Sequence, residues 1–150
     1  MIVKIKKSNA SAQLPTRAHE TDAGYDLYAV TKEYDDDGNI VYGTGLAFEI
    51  PKGHVGLLFP RSSNAKKHLL LSNSVGVVDS GYRGEVTFKF KIGYYDFIDG
   101  SFYHCKNKEY EIGDRIGQII ILPYPDVEFA ETDTLTETER GEGGYGSSGK

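Results

Sequence analysis

Tryptophan is absent from this 150-residue chain, and cysteine and methionine occur once each. A single thiol, Cys105, excludes an intrachain disulfide framework and suits a reducing compartment. No activating pattern surrounds it, so an ordinary thiol is expected there and not a nucleophile. No apolar run nears the ~18 residues that span a bilayer. The start, Met1-Ile-Val-Lys-Ile-Lys-Lys7, lacks the apolar stretch of a secretory signal. A soluble protein without membrane contact is expected, cytoplasmic or, in a eukaryotic host, nuclear. Basic residues are outnumbered, 17 Lys and Arg against 22 Asp and Glu, for a net charge of −5. That balance argues against a nucleic-acid backbone as partner, although a local basic patch could still take a nucleotide.

Glycine, tyrosine and phenylalanine are plentiful instead, at 18, 11 and 7 residues. Short apolar runs recur between turn residues: Ile2-Val-Lys-Ile5, Leu46 to Ile50, Val55 to Phe59, Val86 to Phe90, Tyr110 to Ile112 and Ile116 to Leu122. Such spacing predicts an all-β barrel or sandwich in one domain. Asp35-Asp-Asp-Gly-Asn39 reads as a hairpin tip, since it lacks the remaining ligands of a calcium loop. Helix signal is confined to Ser62–His68, where Ser-Ser-Asn can cap one short helix and aim N–H groups and Arg61 at an anion.

The C-terminal run Arg140-Gly-Glu-Gly-Gly-Tyr-Gly-Ser-Ser-Gly-Lys150 has no apolar face to pack and reads as a flexible tail. It nevertheless carries a guanidinium, an aromatic ring and paired hydroxyls, the parts needed to close over a phosphorylated ligand with a flat base. Glu131 to Glu139, which mixes Thr with acids, reads as the arm that delivers it. The chain thus divides into a β core over 1–130 and an arm over 131–150.

Four further segments carry more than structure requires. Asp26 lies between aromatic and apolar neighbours in Ala23-Gly-Tyr-Asp-Leu-Tyr-Ala29, a strand position that suggests a metal contact or an internal salt bridge. Pro60-Arg-Ser-Ser-Asn-Ala65 is the candidate anion cap. Gly76-Val-Val-Asp-Ser-Gly-Tyr-Arg-Gly-Glu-Val86 reads as a hairpin whose backbone could pair with a base edge. In it, Asp79 stands at the mouth and Tyr82 at the start of the return strand. In Gly113 to Pro123, Asp114 and Arg115 fit a turn, while Gln118 interrupts an apolar strand and needs backbone or a ligand to bond.

In this order the segments closely resemble the five motifs of the trimeric deoxyuridine triphosphate nucleotidohydrolase (dUTPase) family, from about residue 15 to 149. The resemblance implies a distorted jelly-roll β fold with one short helix and a flexible C-terminal arm. It also implies a homotrimer with shared active sites and hydrolysis of dUTP to dUMP and pyrophosphate with Mg²⁺. Carried over, Asp26 would orient metal-bound waters, and Arg61 and Ser62 would contact phosphates, with Ser63 beside them. Asp79 would hold the attacking water and the sugar 3′-hydroxyl, and Tyr82 would stack on the deoxyribose. Asn73 and the backbone of Gly76 and Val78 would read uracil, and Gln118 would touch the α-phosphate or the water. Arg140, Ser147 and Ser148 would grip the γ-phosphate. Tyr145 would cover the base, and Gly146 joins it among the substrate-binding positions.

Three departures from the pattern stand out. Ser63 and Asn64 replace the usual Gly-Leu, Tyr145 replaces Phe, and Gly117 stands where Ala is frequent. The stretch 93–109, rich in Tyr and Phe, is longer than the usual connection and suits an extra hairpin or a protein-partner surface. Two other readings compete: a non-catalytic module binding nucleotide or protein through that stretch, and a dCTP deaminase. The deaminase glutamate would fall at Lys89, which argues against deamination.

Overall fold

The computed structural model describes residues 1–92, 95–98, 101–104 and 109–144, with 95–98 and 101–104 as backbone only. Its strands are β1 Lys4–Lys7, β2 Tyr25–Tyr28, β3 Thr31–Tyr34, β4 Ile40–Gly43, β5 Leu46–Glu49 and β6 His54–Phe59. After them come β7 Leu69–Leu71, β8 Gly76–Val78, β9 Thr87–Ile92, β10 Tyr95–Ile98, β11 Ser101–His104 and β12 Arg115–Pro123. One four-stranded sheet runs β2-β12-β6-β8 and the other β3-β4-β9-β7, with all pairings antiparallel. The ribbons β1-β5 and β10-β11 complete the pairings, and the sheets do not close into one barrel. The result is jelly-roll-like.

Alternation explains which face each strand buries. In β9, Phe88 and Phe90 point inward while Thr87, Lys89 and Lys91 face out. Opposite them, Ile40 and Tyr42 of β4 are buried, with Tyr42 edge-on to Phe90 at a centroid distance of 6.0 Å. Leu27, Leu58 and Ile119 of the other sheet share the same apolar cluster, so a single core lies between the sheets. Gly117 sits where a Cβ would collide with the Phe88 ring, which accounts for a residue without a side chain there.

Three expectations are corrected. Tyr110 to Ile112 is not a strand; Tyr110 is buried and Ile112 lies in the turn that precedes β12. Gly76 to Val86 is not a two-stranded hairpin, because β8 pairs with β6 in one sheet and β9 with β4 and β7 in the other. The segment is a crossover between sheets, and Tyr82 lies in it, ahead of the strand. Ser62–Lys66 is a 3-10 turn with no side-chain cap. Its backbone bonds run i to i+3, from Asn64 N–H to the Arg61 carbonyl and from Lys67 N–H to the Asn64 carbonyl, both at 2.9 Å.

The β3–β4 hairpin turns at Gly38, with φ of +75°. Asp35 accepts the Asn39 N–H at 2.8 Å and the Lys89 ammonium at 3.0 Å. The Asn39 backbone bond, then Lys89 and the Asn39 amide, lower the Asp35 pKa from 3.8 to about 2. A depressed folded pKa gives stabilisation that is complete above the unfolded value and fades as pH falls toward 2. Asp35→Asn is therefore expected to melt below the native protein at pH 7. The gap should close between pH 4 and 2 in thermal melts, and a gap independent of pH would contradict this account.

Candidate active site

The register of the first sheet assembles one cleft. Gln118 of β12 lies between Asp26 of β2 and Phe59 of β6. Beyond Phe59 the chain leaves the sheet at Pro60, and Arg61 reaches back across it. Arg61 Nε donates to Asp26 Oδ1 at 2.9 Å. Arg115 Nη1 donates to Asp26 Oδ2 at 3.1 Å. A register irregularity between Arg115 and Gly117 lies beside this contact. Gln118 Nε2 donates to the Pro60 carbonyl at 3.2 Å. A Cβ at Gly24 would collide with the Gln118 amide, so glycine leaves that amide its place beside β2.

Asp26, Arg61, Ser62, Arg115 and Gln118 line a cleft of about 370 Å³, together with Asp22 and Gly24. Asp26 is a salt-bridge residue, one of the two roles its strand position suggested. Its side chain is 16% exposed, and each oxygen receives a guanidinium. That leaves it poorly placed as a direct metal ligand, and no cluster of three metal-ligating side chains occurs among the described residues. Arg115, read from sequence only as a turn residue, opens β12 and stays 46% exposed on the cleft. The Asp-Arg pair was visible in sequence, but the irregularity beside it was not.

A second cleft, of about 200 Å³, gathers Asn73, Gly76, Val78, Asp79 and Tyr82 with Leu58, Val77 and Glu85. Asp79 is exposed at the end of β8. Its carbonyl accepts the Tyr82 N–H at 3.0 Å, which closes the turn. The Tyr82 ring folds over Gly84, where a Cβ would collide with it, and its hydroxyl donates to the Glu85 carbonyl at 3.2 Å. Gly76 packs on Leu58, with 2.9 Å from an added Cβ to that side chain. Asp26, Arg61, Ser62 and Gln118 thus fall in one cleft and Asn73, Gly76, Val78, Asp79 and Tyr82 in another, with no lining residue in common, while Ser63 and Arg140 line neither.

From Leu122 through Glu142 every residue is exposed, including Phe129 at 93%. Arg140 donates from Nε to the Gly143 carbonyl at 2.9 Å. Tyr145, Gly146, Ser147 and Ser148 lie outside the described residues, as do Cys105 and Tyr94. Ser63 Oγ accepts from Arg61 Nη1 at 3.2 Å, and Asn64 is buried. Lys89, where a deaminase would need an acid, is bonded to Asp35 on the outer face of β9.

An all-β, jelly-roll-like sandwich with two guanidinium groups at a cleft defines the structural class, and comparison narrows it. The dUTPase family matches residues 10–149. The deoxyuridine 5'-triphosphate nucleotidohydrolase of Corynebacterium diphtheriae is 37% identical over 99% of this chain and 93% of its own. A mutant of the Staphylococcus bacteriophage 80alpha dUTPase with dUpNHpp superimposes with a TM-score of 0.81 at 30% identity, covering 99% of both chains. A mutant dUTPase of phage phi11 of S. aureus, whose structure concerns a structural Mg(II) ion, gives 0.69 at 25% identity over 90% of this chain and 99% of that one. The chain belongs to the dUTPase family.

Asp26→Ala leaves two guanidiniums facing each other without their shared acceptor. A stability loss of about 2 kcal/mol is expected in chemical denaturation. An unchanged midpoint would contradict the bridging role.

Proposed function

We propose that this protein hydrolyses dUTP to dUMP and pyrophosphate, at sites formed where copies of the chain meet in a homotrimer. The observation that carries the reading is the grouping of the family's motif residues into one guanidinium-bearing cleft and one cleft with a carboxylate and an aromatic ring. The first suits a triphosphate and the second a nucleoside. Their separation within one chain is met by a neighbour that brings its second cleft to the first.

Exposed apolar surface supports assembly. Met1, Ile5, Leu14, Tyr25 and Ile121 help to line a hollow of about 480 Å³. On an isolated chain such a surface would face water. The exposed arm, which carries Val127 and Phe129, suits exchange between copies and would bring Arg140 and the glycine-rich tail over a neighbour's site.

In the reaction, Asp79 orients a water in line with the α-phosphorus and takes its proton as the oxygen–phosphorus bond forms. The bond from the α-phosphorus to the bridging oxygen breaks, and pyrophosphate leaves with the electron pair. Arg61, Ser62 and Gln118 offer donors to the phosphate oxygens, where charge accumulates. Tyr82 packs on the deoxyribose and excludes a 2′-hydroxyl, while Asn73 and the backbone at Gly76 and Val78 read the base. Tyr145, Gly146, Ser147 and Ser148 complete the lid with Arg140, excluding water. Magnesium bound to the triphosphate would neutralise part of its charge, and Asp26, with both oxygens engaged, would reach it through water. The setting is the cytoplasm.

Pyrophosphate release from dUTP, dCTP, dTTP and UTP in parallel tests the reading. Release from dUTP alone is expected, with a loss of at least about a hundredfold in Asp79→Asn. Equal release from UTP, or an active Asp79→Asn, would overturn the assigned roles.

A further inference from the structure

Tyr110 stands where the chain returns from the 93–109 segment, and it is 2% exposed. Its ring is wedged against Tyr42 and Phe90 at centroid distances of 5.9 and 5.8 Å. The Tyr110 N–H donates to the Tyr42 hydroxyl, which donates in turn to the Tyr110 carbonyl, each at 3.0 Å. The ring is therefore fixed from both sides. Only its hydroxyl leaves this nest, and it points at the 3-10 turn.

There it donates to Asn64 Oδ1 at 3.3 Å. Ser63 accepts from Arg61 Nη1 at 3.2 Å. Asn64 Nδ2 donates to the Leu69 carbonyl at 2.6 Å. Donors thus point one way from Tyr110 through Asn64 to β7, and the Asn64 N–H closes the turn on the Arg61 carbonyl at 2.9 Å. Burial raises the Tyr110 pKa against the opposing influence of Ser63 and Arg61, so the phenol keeps its proton and the direction of the chain holds. Lys67 adds a second tie, with Nζ 3.0 Å from the Glu109 carbonyl and 4.4 Å from the Tyr110 ring centroid.

A five-residue 3-10 turn without a side-chain cap holds its own shape weakly. We propose that Tyr110 is a positioning residue for phosphate recognition: through its bond to Asn64 it fixes the turn on which Ser63 sets the angle of the Arg61 guanidinium. The inference rests on the reading that Arg61 binds phosphate. It assigns Ser63 and Asn64 a common purpose: the hydroxyl holds Arg61, and the amide ties the turn to a buried phenol. It also makes the foot of the 93–109 segment and the phosphate-binding turn a single mechanical unit.

The test compares Tyr110→Phe in the native chain and in a Ser63→Gly/Asn64→Leu background. Steady-state dUTP hydrolysis, equilibrium binding of inorganic pyrophosphate and thermal melting are read for each. In the native background, KM for dUTP and Kd for pyrophosphate are expected to rise about five- to tenfold, with kcat within about twofold. In the Ser63→Gly/Asn64→Leu background the same change should cost less than about twofold, because the chain is already cut. Should that background fail to fold, Ser63→Ala supplies it by removing the hydroxyl that passes the turn's position on to Arg61. Unchanged KM and Kd, equal losses in both backgrounds, or a fall in kcat at constant KM would overturn the proposal. A native chain that leaves dUTP intact would sink the functional reading alone, and the pyrophosphate measurement would then decide the positioning role by itself.

Discussion

Everything at the first cleft depends on one carboxylate shared by two cations. Asp26 accepts Arg61 on one oxygen and Arg115 on the other, at 2.9 and 3.1 Å. Two guanidiniums this close would repel each other without it. With it, donors from separate parts of the chain are held at one opening, which then needs little reorganisation to meet a polyanion. Asp26 can do this because β2 is an edge strand paired to β12, so its side chain stands beside Gln118 and within reach of the turn after β6.

Small residues make that closeness sterically feasible. Gly24 leaves room for the Gln118 amide, Gly117 for the Phe88 ring and Gly84 for the ring of Tyr82. In each case the glycine stands beside a side chain that belongs to the site or supports it. Local packing and ligand recognition are thus set by the same backbone positions, which couples the sandwich core to both clefts.

The strands that alternate cleanly were legible in sequence, as in Thr87-Phe-Lys-Phe-Lys-Ile92, because burial on one face leaves its mark at every second residue. Most of the residues that line the two clefts were singled out as motifs. What escaped was pairing between distant segments. Gly76 to Val86 looks like a hairpin locally, but β8 and β9 each find a better partner in a different sheet. Tyr110 looks like the start of a strand, whereas its hydroxyl and backbone are committed to Asn64 and Tyr42. Arg115 looked like a turn residue because the irregularity beside it depends on β2. Ser63 and Asn64 looked like departures from a pattern, and Asn64 finds its buried partner at Tyr110, far downstream in sequence.

The proposed function requires a site shared between copies of the chain. The most direct test mixes two variants after reversible dissociation, Arg61→Ala with Asp79→Asn, each inactive alone. If every site joins the first cleft of one copy to the second cleft of another, random reassembly restores about a quarter of the native dUTP turnover. Turnover that stays at zero while mass spectrometry shows mixed assemblies would mean that both clefts of one site come from a single copy, and would contradict the account.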